Sequence, residues 1–246
     1  MRPIGFVRFG FGVAVGWALV CAARAAAAQG GSFAPKAELG GRVQTQFNTS
    51  SRPAVAPYEW ALRRVWLEAR VTVAPTVQGK IQVDFAPGQR VEVKDAYVQF
   101  LPLPGVSVLA GKANRPFSAM QLSSDVRMPP IERGLRIRGL DAWDEQALVE
   151  ALGHGDRDVG FQLGLESGRS PLRPRLVVAW LAGPLAGQTG SRATGQWGAR
   201  LEAKPLTALR LGLAASQRDY AQRDSAGAIR ALRTGTAWLL NAEWGT

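Results

Sequence analysis

Cysteine is all but missing from this chain. The single one, Cys21, lies in an N-terminal stretch that reads as a secretory leader, so the exported part holds no thiol. Disulfide frameworks, zinc clusters and cysteine nucleophiles are thereby excluded. Histidine is as scarce: His154, set between glycines in GHGDRD, stands alone. It has no paired acid or serine in the pattern of a catalytic site, and no glycine loop is shaped to cradle a phosphate. We expect no enzyme, no metal and no cofactor. After the leader no stretch approaches the roughly 18 apolar residues of a membrane-crossing helix. Acid is in short supply too, with 19 Asp and Glu against 30 Lys and Arg, a formal charge of +11 and a pI near 10.9.

The leader is expected to span residues 1–28. Arg2 and Arg8 supply its charged start, Phe9 to Ala23 its apolar middle, and the alanines at 25–28 its small-residue cleavage pattern. Removing its three arginines leaves residues 29–246 at +8. Such an excess fits nucleic acid, an acidic membrane surface or anionic small solutes. Here it consists mostly of arginine scattered along alternating stretches, not of lysine gathered on one helix or sheet, which argues against nucleic acid.

What is present is a period of two, in runs of about ten residues, the pattern of barrel strands with one face in lipid and one in water. Along 37–48, Ala37, Leu39, Val43 and Phe47 share one face, and Glu38, Arg42, Gln44 and Gln46 the other. The run at 60–73 sets Val65, Leu67, Ala69 and Val71 outward and Arg64, Trp66, Glu68 and Arg70 inward. At 77–85, Ile81, Val83 and Phe85 oppose Lys80, Gln82 and Asp84. The run at 91–101 changes phase near Lys94–Asp95, where a bulge is expected, and a fifth passes through Val106, Val108 and Ala110. Weaker runs follow around 159–166, 176–180, 196–204, 209–213 and 238–244, with Trp180, Trp197, Trp238 and Trp244 near run ends as in an aromatic girdle. The segment 113–157 is too long for an ordinary connection. Within it, 114–138 holds Arg115, Arg127, Arg133, Arg136 and Arg138 against Asp125 and Glu132, a net +3, and 141–152 has the pattern of a short amphipathic helix.

The motifs KDAYVQF (94–100), VLAGKANRPFS (108–118) and SSDVRMPPIERG (123–134) resemble the phosphate-selective porins of Gram-negative bacteria, the O/P family. So does the order LRRVWLEARV, VDFAPG, DAYV, IERG, DRDVGFQLGLE. The resemblance covers about 37–246 and is densest over 62–134. It implies an all-β antiparallel transmembrane barrel of sixteen strands in the bacterial outer membrane, usually a homotrimer, passing phosphate or other anions. It also implies that Arg63 or Arg64, Lys112 and Arg115 lie on the anion path. Alternation adds Arg42, Arg70 and Lys80 to the pore-lining set, and the charge of the long loop adds Arg127 and Arg133. Two departures stand out. The loop carries arginines instead of a lysine cluster, and only about ten strands are found, so the chain is expected to be truncated at its C-terminus.

The expected function is a passive diffusion channel favouring phosphate-like anions, with outer-membrane lipid against its apolar face. The competing expectation is a binding or structural protein, either a non-channel barrel or a periplasmic β-sandwich.

Overall fold

Strict alternation leaves each run one apolar and one polar face, and such runs satisfy their backbone groups by pairing with the next run along the chain. A computed structural model describes residues 33–49, 58–86, 91–122, 149, 152–182, 196–223 and 229–245, some strand positions by backbone alone. The expected leader and the arginine-rich stretch 123–138 lie outside the described residues, as does most of the expected helix at 141–152. Val149, within that helix, has helical backbone and is buried.

Ten strands follow in chain order: β1 (Lys36–Thr49), β2 (Tyr58–Ala74), β3 (Val77–Asp84), β4 (Glu92–Leu103), β5 (Val106–Asn114), β6 (Arg157–Glu166), β7 (Arg175–Leu181), β8 (Gln196–Leu206), β9 (Leu209–Arg223) and β10 (Ile229–Trp244). A short helix, α1 (Ala119–Leu122), follows β5. The sheet order is the chain order, β1 to β10, without the sheet-to-sheet crossovers of a sandwich. Two-residue turns at 75–76, 104–105 and 207–208 alternate with longer connections, the habit of barrels with short turns at one end and long loops at the other. Of the described residues, no helix is long and apolar enough to cross a membrane.

The strands divide into two compact units, with β4 contributing to both. In the first, β1 pairs with β2 and β2 with β3. Leu39, Val43 and Phe47 of β1 stand exposed on the apolar side, Leu39 at 80%. The β1–β2 register shifts between Gln44 and Thr45, leaving Arg63 the unmatched residue of β2. That extra residue resets the alternation, so Trp60 and Leu62 before it join Leu67 and Val71 after it on the exposed apolar side. Phe47 packs on Trp60 across this junction, ring centroids 4.9 Å apart.

Strand β4 shows the expected change of phase: Val91 and Val93 are exposed before it, and Val98 after it, with Asp95 buried between. In the second unit β5 to β10 pair in order, and Val159, Leu163, Trp180, Leu201, Leu213, Trp238 and Leu240 line the exposed apolar side. Strands β9 and β10 run well past the apolar stretches that announced them, through AASQRDYAQR and IRALRTG, where polar residues hide the period.

Gly111 is one glycine whose freedom the fold requires. Its φ is +133°, and a Cβ there would run into the backbone of Ala96 and lie 2.6 Å from Tyr97 Cα. Gly111→Ala is expected to destabilise the folded protein by roughly 1–3 kcal/mol from backbone strain, with the contact adding to it, read as a lowered urea midpoint in detergent. An unchanged midpoint would show that β4 and β5 pair without this conformation.

Candidate functional site

In the first unit the polar face is organised by an indole. Trp66 Nε1 donates to Asp84 Oδ2 at 2.7 Å. The guanidinium carbons of Arg42 and Arg64 lie 4.8 and 5.4 Å from the Trp66 ring centroid. Such cation–π contacts are worth about 0.5–1 kcal/mol each at exposed sites, enough to bias two long side chains toward an extended pose. Arg64 Nη1 also donates to Gln44 Oε1 at 3.1 Å. Asp84 accepts from Val65 N at 3.3 Å and Ala86 N at 3.0 Å, so backbone donors share its charge with the indole. Farther along, Glu68 binds both Arg70 (2.7 Å) and Lys80 (3.1 Å). Among the described residues Arg42 has no carboxylate partner. Over the described side chains of β1 to β3 this face carries Lys36, Arg42, Arg64, Arg70 and Lys80 against Glu38, Glu68 and Asp84, a net +2, with Lys36 paired to Glu38 at 2.6 Å.

In the second unit the polar face is covered by chain that follows β5 and precedes β6. Arg115 is 2% exposed and binds Asp158 Oδ2 and Gln196 Oε1 through one nitrogen, while its backbone N–H donates to Asp156 O at 3.0 Å. Two residues on, Phe117 packs with Val149 and Ala214, flanked by Ala237 and Leu239. These three wall residues are apolar on a face that is otherwise polar, and the inward segment is what covers them. Arg200 of β8 donates to Phe117 O at 2.7 Å, Asn241 Oδ1 at 2.8 Å and Glu202 Oε1 at 2.7 Å. Arg218 of β9 donates to Gly153 O. His154 Nδ1 lies 3.0 Å from Ser216 Oγ, and its ring sits 5.7 Å from that of Phe117.

The sequence candidates therefore separate. Arg42 and Arg64 come together around Trp66, and Arg70 and Lys80 share Glu68. Arg63 lies beside them in β2, its side chain outside the described residues. Arg115 is buried in an ion pair, with its charge met by Asp158. The register sets Lys112 opposite Val159, on the side of β6 that carries the exposed apolar row and not the Asp158 side. Arg127 and Arg133 lie outside the described residues. Sequence reasoning missed Arg200 and Arg218 as loop partners and Trp66 as an organiser. The run WLL at 238–240 was a usable signal, because it breaks alternation by placing Leu239 on the polar side.

Near the two-residue turn at 207–208, Arg173, Arg175, Lys204 and Arg210 line a cleft of about 240 Å³ with Glu166 and Glu202. No group of acidic, histidine or cysteine side chains that could hold a metal ion occurs among the described residues.

His154 titrates far from its ordinary range. Burial pushes it down from 6.5 to about 4, and the positive charges of Arg115 and Arg218 push the same way. Asp158 is engaged by Arg115. A released segment binds its proton near pH 6.5 and the seated one only near 4, so seating is fully stable above 6.5 and weakens as pH falls through that window. Protection of 149–156 from hydrogen exchange in detergent is expected to drop between those values, and His154→Gln to flatten the dependence. Equal protection at both ends of the window would contradict this.

The profile of the family described as phosphate-selective porin O and P matches residues 38–242, five-sixths of the chain and nearly all of its strands. No curated protein matches the chain.

Proposed function

The chain belongs to the phosphate-selective porin O and P family, and from that premise we propose that it forms a passive outer-membrane channel favouring small anions of the phosphate class. The family is one of channels, not of enzymes. The observation that carries the reading for this chain is the Trp66 arrangement, which holds Arg42 and Arg64 against one ring on a polar strand face, beside Asp84, which accepts from the indole. Guanidinium stays protonated and presents a planar fork of donors to oxyanions. Lysines and arginines facing a pore set its sign through the local potential.

In this reading Arg42, Arg64, Arg70 and Lys80 line the path. Arg63, Arg127 and Arg133 add to it from the strand bulge and the long loop. Arg115 shapes the path through its ion pair, and Lys112 stands apart from it. Lipid covers the exposed apolar row, and three copies of the full-length protein assemble as a homotrimer. The partners that pass are phosphate or polyphosphate.

Phosphate added to one side of a bilayer carrying the reconstituted protein is expected to reduce chloride current, because a better-held anion lingers where chloride must pass. Chloride current indifferent to phosphate, at a pH where phosphate is dianionic, would remove phosphate from the list of favoured solutes.

A further inference from the structure

The polar face of the second unit carries two arginines that a charge count would assign to the solute path. We propose that Arg200 and Arg218 are instead positioning residues, which fasten the segments at 115–122 and 152–155 to the wall and so fix how much of the path they occupy. The inference rests on the channel reading for its consequence, but the fastening itself stands on geometry.

Each arginine has a built seat. Arg200 is 2% exposed and has all three of its nitrogens engaged, by a carboxylate, an amide oxygen and the backbone carbonyl of Phe117. Gly212 makes the room: a Cβ there would lie 2.5 Å from Arg200 Nη2 and collide with Asn241 Oδ1. Arg218 is seated against Gly153, where φ is +73° and a Cβ would come 2.6 Å from the guanidinium carbon. A guanidinium that donates to a carbonyl of the segment holds backbone, not a particular side chain, so the segment's course is fixed whatever its residues face. Below these donors the apolar wall residues Ala214, Ala237 and Leu239 meet Phe117 and Val149, which a water-filled face would not tolerate uncovered. Beside them Ser216 holds His154. Strand wall and segment are thus matched at polar and apolar points alike.

The two roles predict opposite results. If Arg200 and Arg218 attract solute, removing them lowers anion current. If they fasten the segment, removing them frees it, and current rises as selectivity falls. The variants are Arg200→Met, Arg218→Met and Gly212→Ala, the last of which displaces Arg200 without deleting its charge. They are to be made in the full chain, folded in detergent and checked for heat-dependent gel mobility. Two readouts are taken: hydrogen exchange at 115–122 and 152–155, and single-channel conductance in potassium chloride.

The expected result is at least tenfold faster exchange in those segments for each variant, with conductance raised and the anion preference reduced. Arg200→Lys, which keeps the charge but not the three-way donation, is expected to behave like Arg200→Met. Faster exchange in a protein that conducts no ions would uphold the fastening and count against the channel. Unchanged exchange in a folded, conducting variant would overturn the fastening. So would reduced anion current with exchange unaltered. Should Arg200→Met fail to fold, Gly212→Ala and Arg218→Met decide by the same two readouts.

Discussion

Replacing Arg115 with methionine will lower the stability of the folded protein by roughly 3–5 kcal/mol, the usual cost of leaving one partner of a buried ion pair uncompensated. Asp158 would be left nearly buried facing Gln196, whose amide can offer a hydrogen bond but no charge. The carboxylate would then either bind a proton or draw water into the seat. The backbone bond from Arg115 N to Asp156 O survives the substitution, so the loss reports the side chain alone. Asp158→Asn should cost less, because an amide still accepts from the guanidinium. Arg115→Met combined with Asp158→Leu should recover most of the loss, since an apolar pair of similar volume has no charge to desolvate. Denaturant midpoints of the three variants in detergent check this. Equal losses in the single and double variants would mean that the pair is not the source of the effect.

Exchanging Arg42 and Arg64 for glutamate will invert the ion preference of the channel. Each exchange moves the described polar face of β1 to β3 by two charges, taking it from net +2 to net −2. Potentials in confined clefts change local ion concentrations by factors of ten or more, so the anion-to-cation permeability ratio should fall by at least about tenfold and cross unity. Arg42 and Arg64 both lie against the Trp66 ring, so the single variants Arg42→Gln and Arg64→Gln serve as controls. They should reduce the ratio without inverting it. A double glutamate variant that folds and still prefers anions would place the selecting charges elsewhere, with the long loop the next segment to probe.

Alternation made most of the strands legible, because a sheet between lipid and water sorts its side chains by polarity with period two. Arg42, Arg64, Arg70 and Lys80 could be placed on one face for that reason alone. The reading weakened wherever the period did. An extra residue at Arg63 resets β2 without any Gly or Pro to mark it, and the same Leu62–Arg63–Arg64 sequence reads equally well as plain alternation. The outer halves of β9 and β10 carry polar residues on both faces and fall outside the runs at 209–213 and 238–244.

Arg115 shows a different limit. Its family position and its charge made it a candidate for the solute path. The acid that neutralises it lies 43 residues away along the chain, and only strand pairing brings the two together. Arg200 falls within the run at 196–204 but Arg218 lies beyond the run at 209–213, and the loop partners of both are backbone carbonyls of a distant segment, which no side-chain pattern announces. Leu239 and Ala237 were the trace of that segment in the sequence, apolar residues standing where the period asks for polar ones.

The central claim is that arginines held on polar strand faces make this chain an anion-selective channel. The sign of the reversal potential across a potassium chloride gradient, with the unmodified protein reconstituted in a planar bilayer, tests it most directly. With the concentrated salt on one side, net chloride flow down the gradient leaves that side positive, and the account predicts this sign at neutral pH. The opposite sign, or a potential at the value for unselective flow, would contradict it.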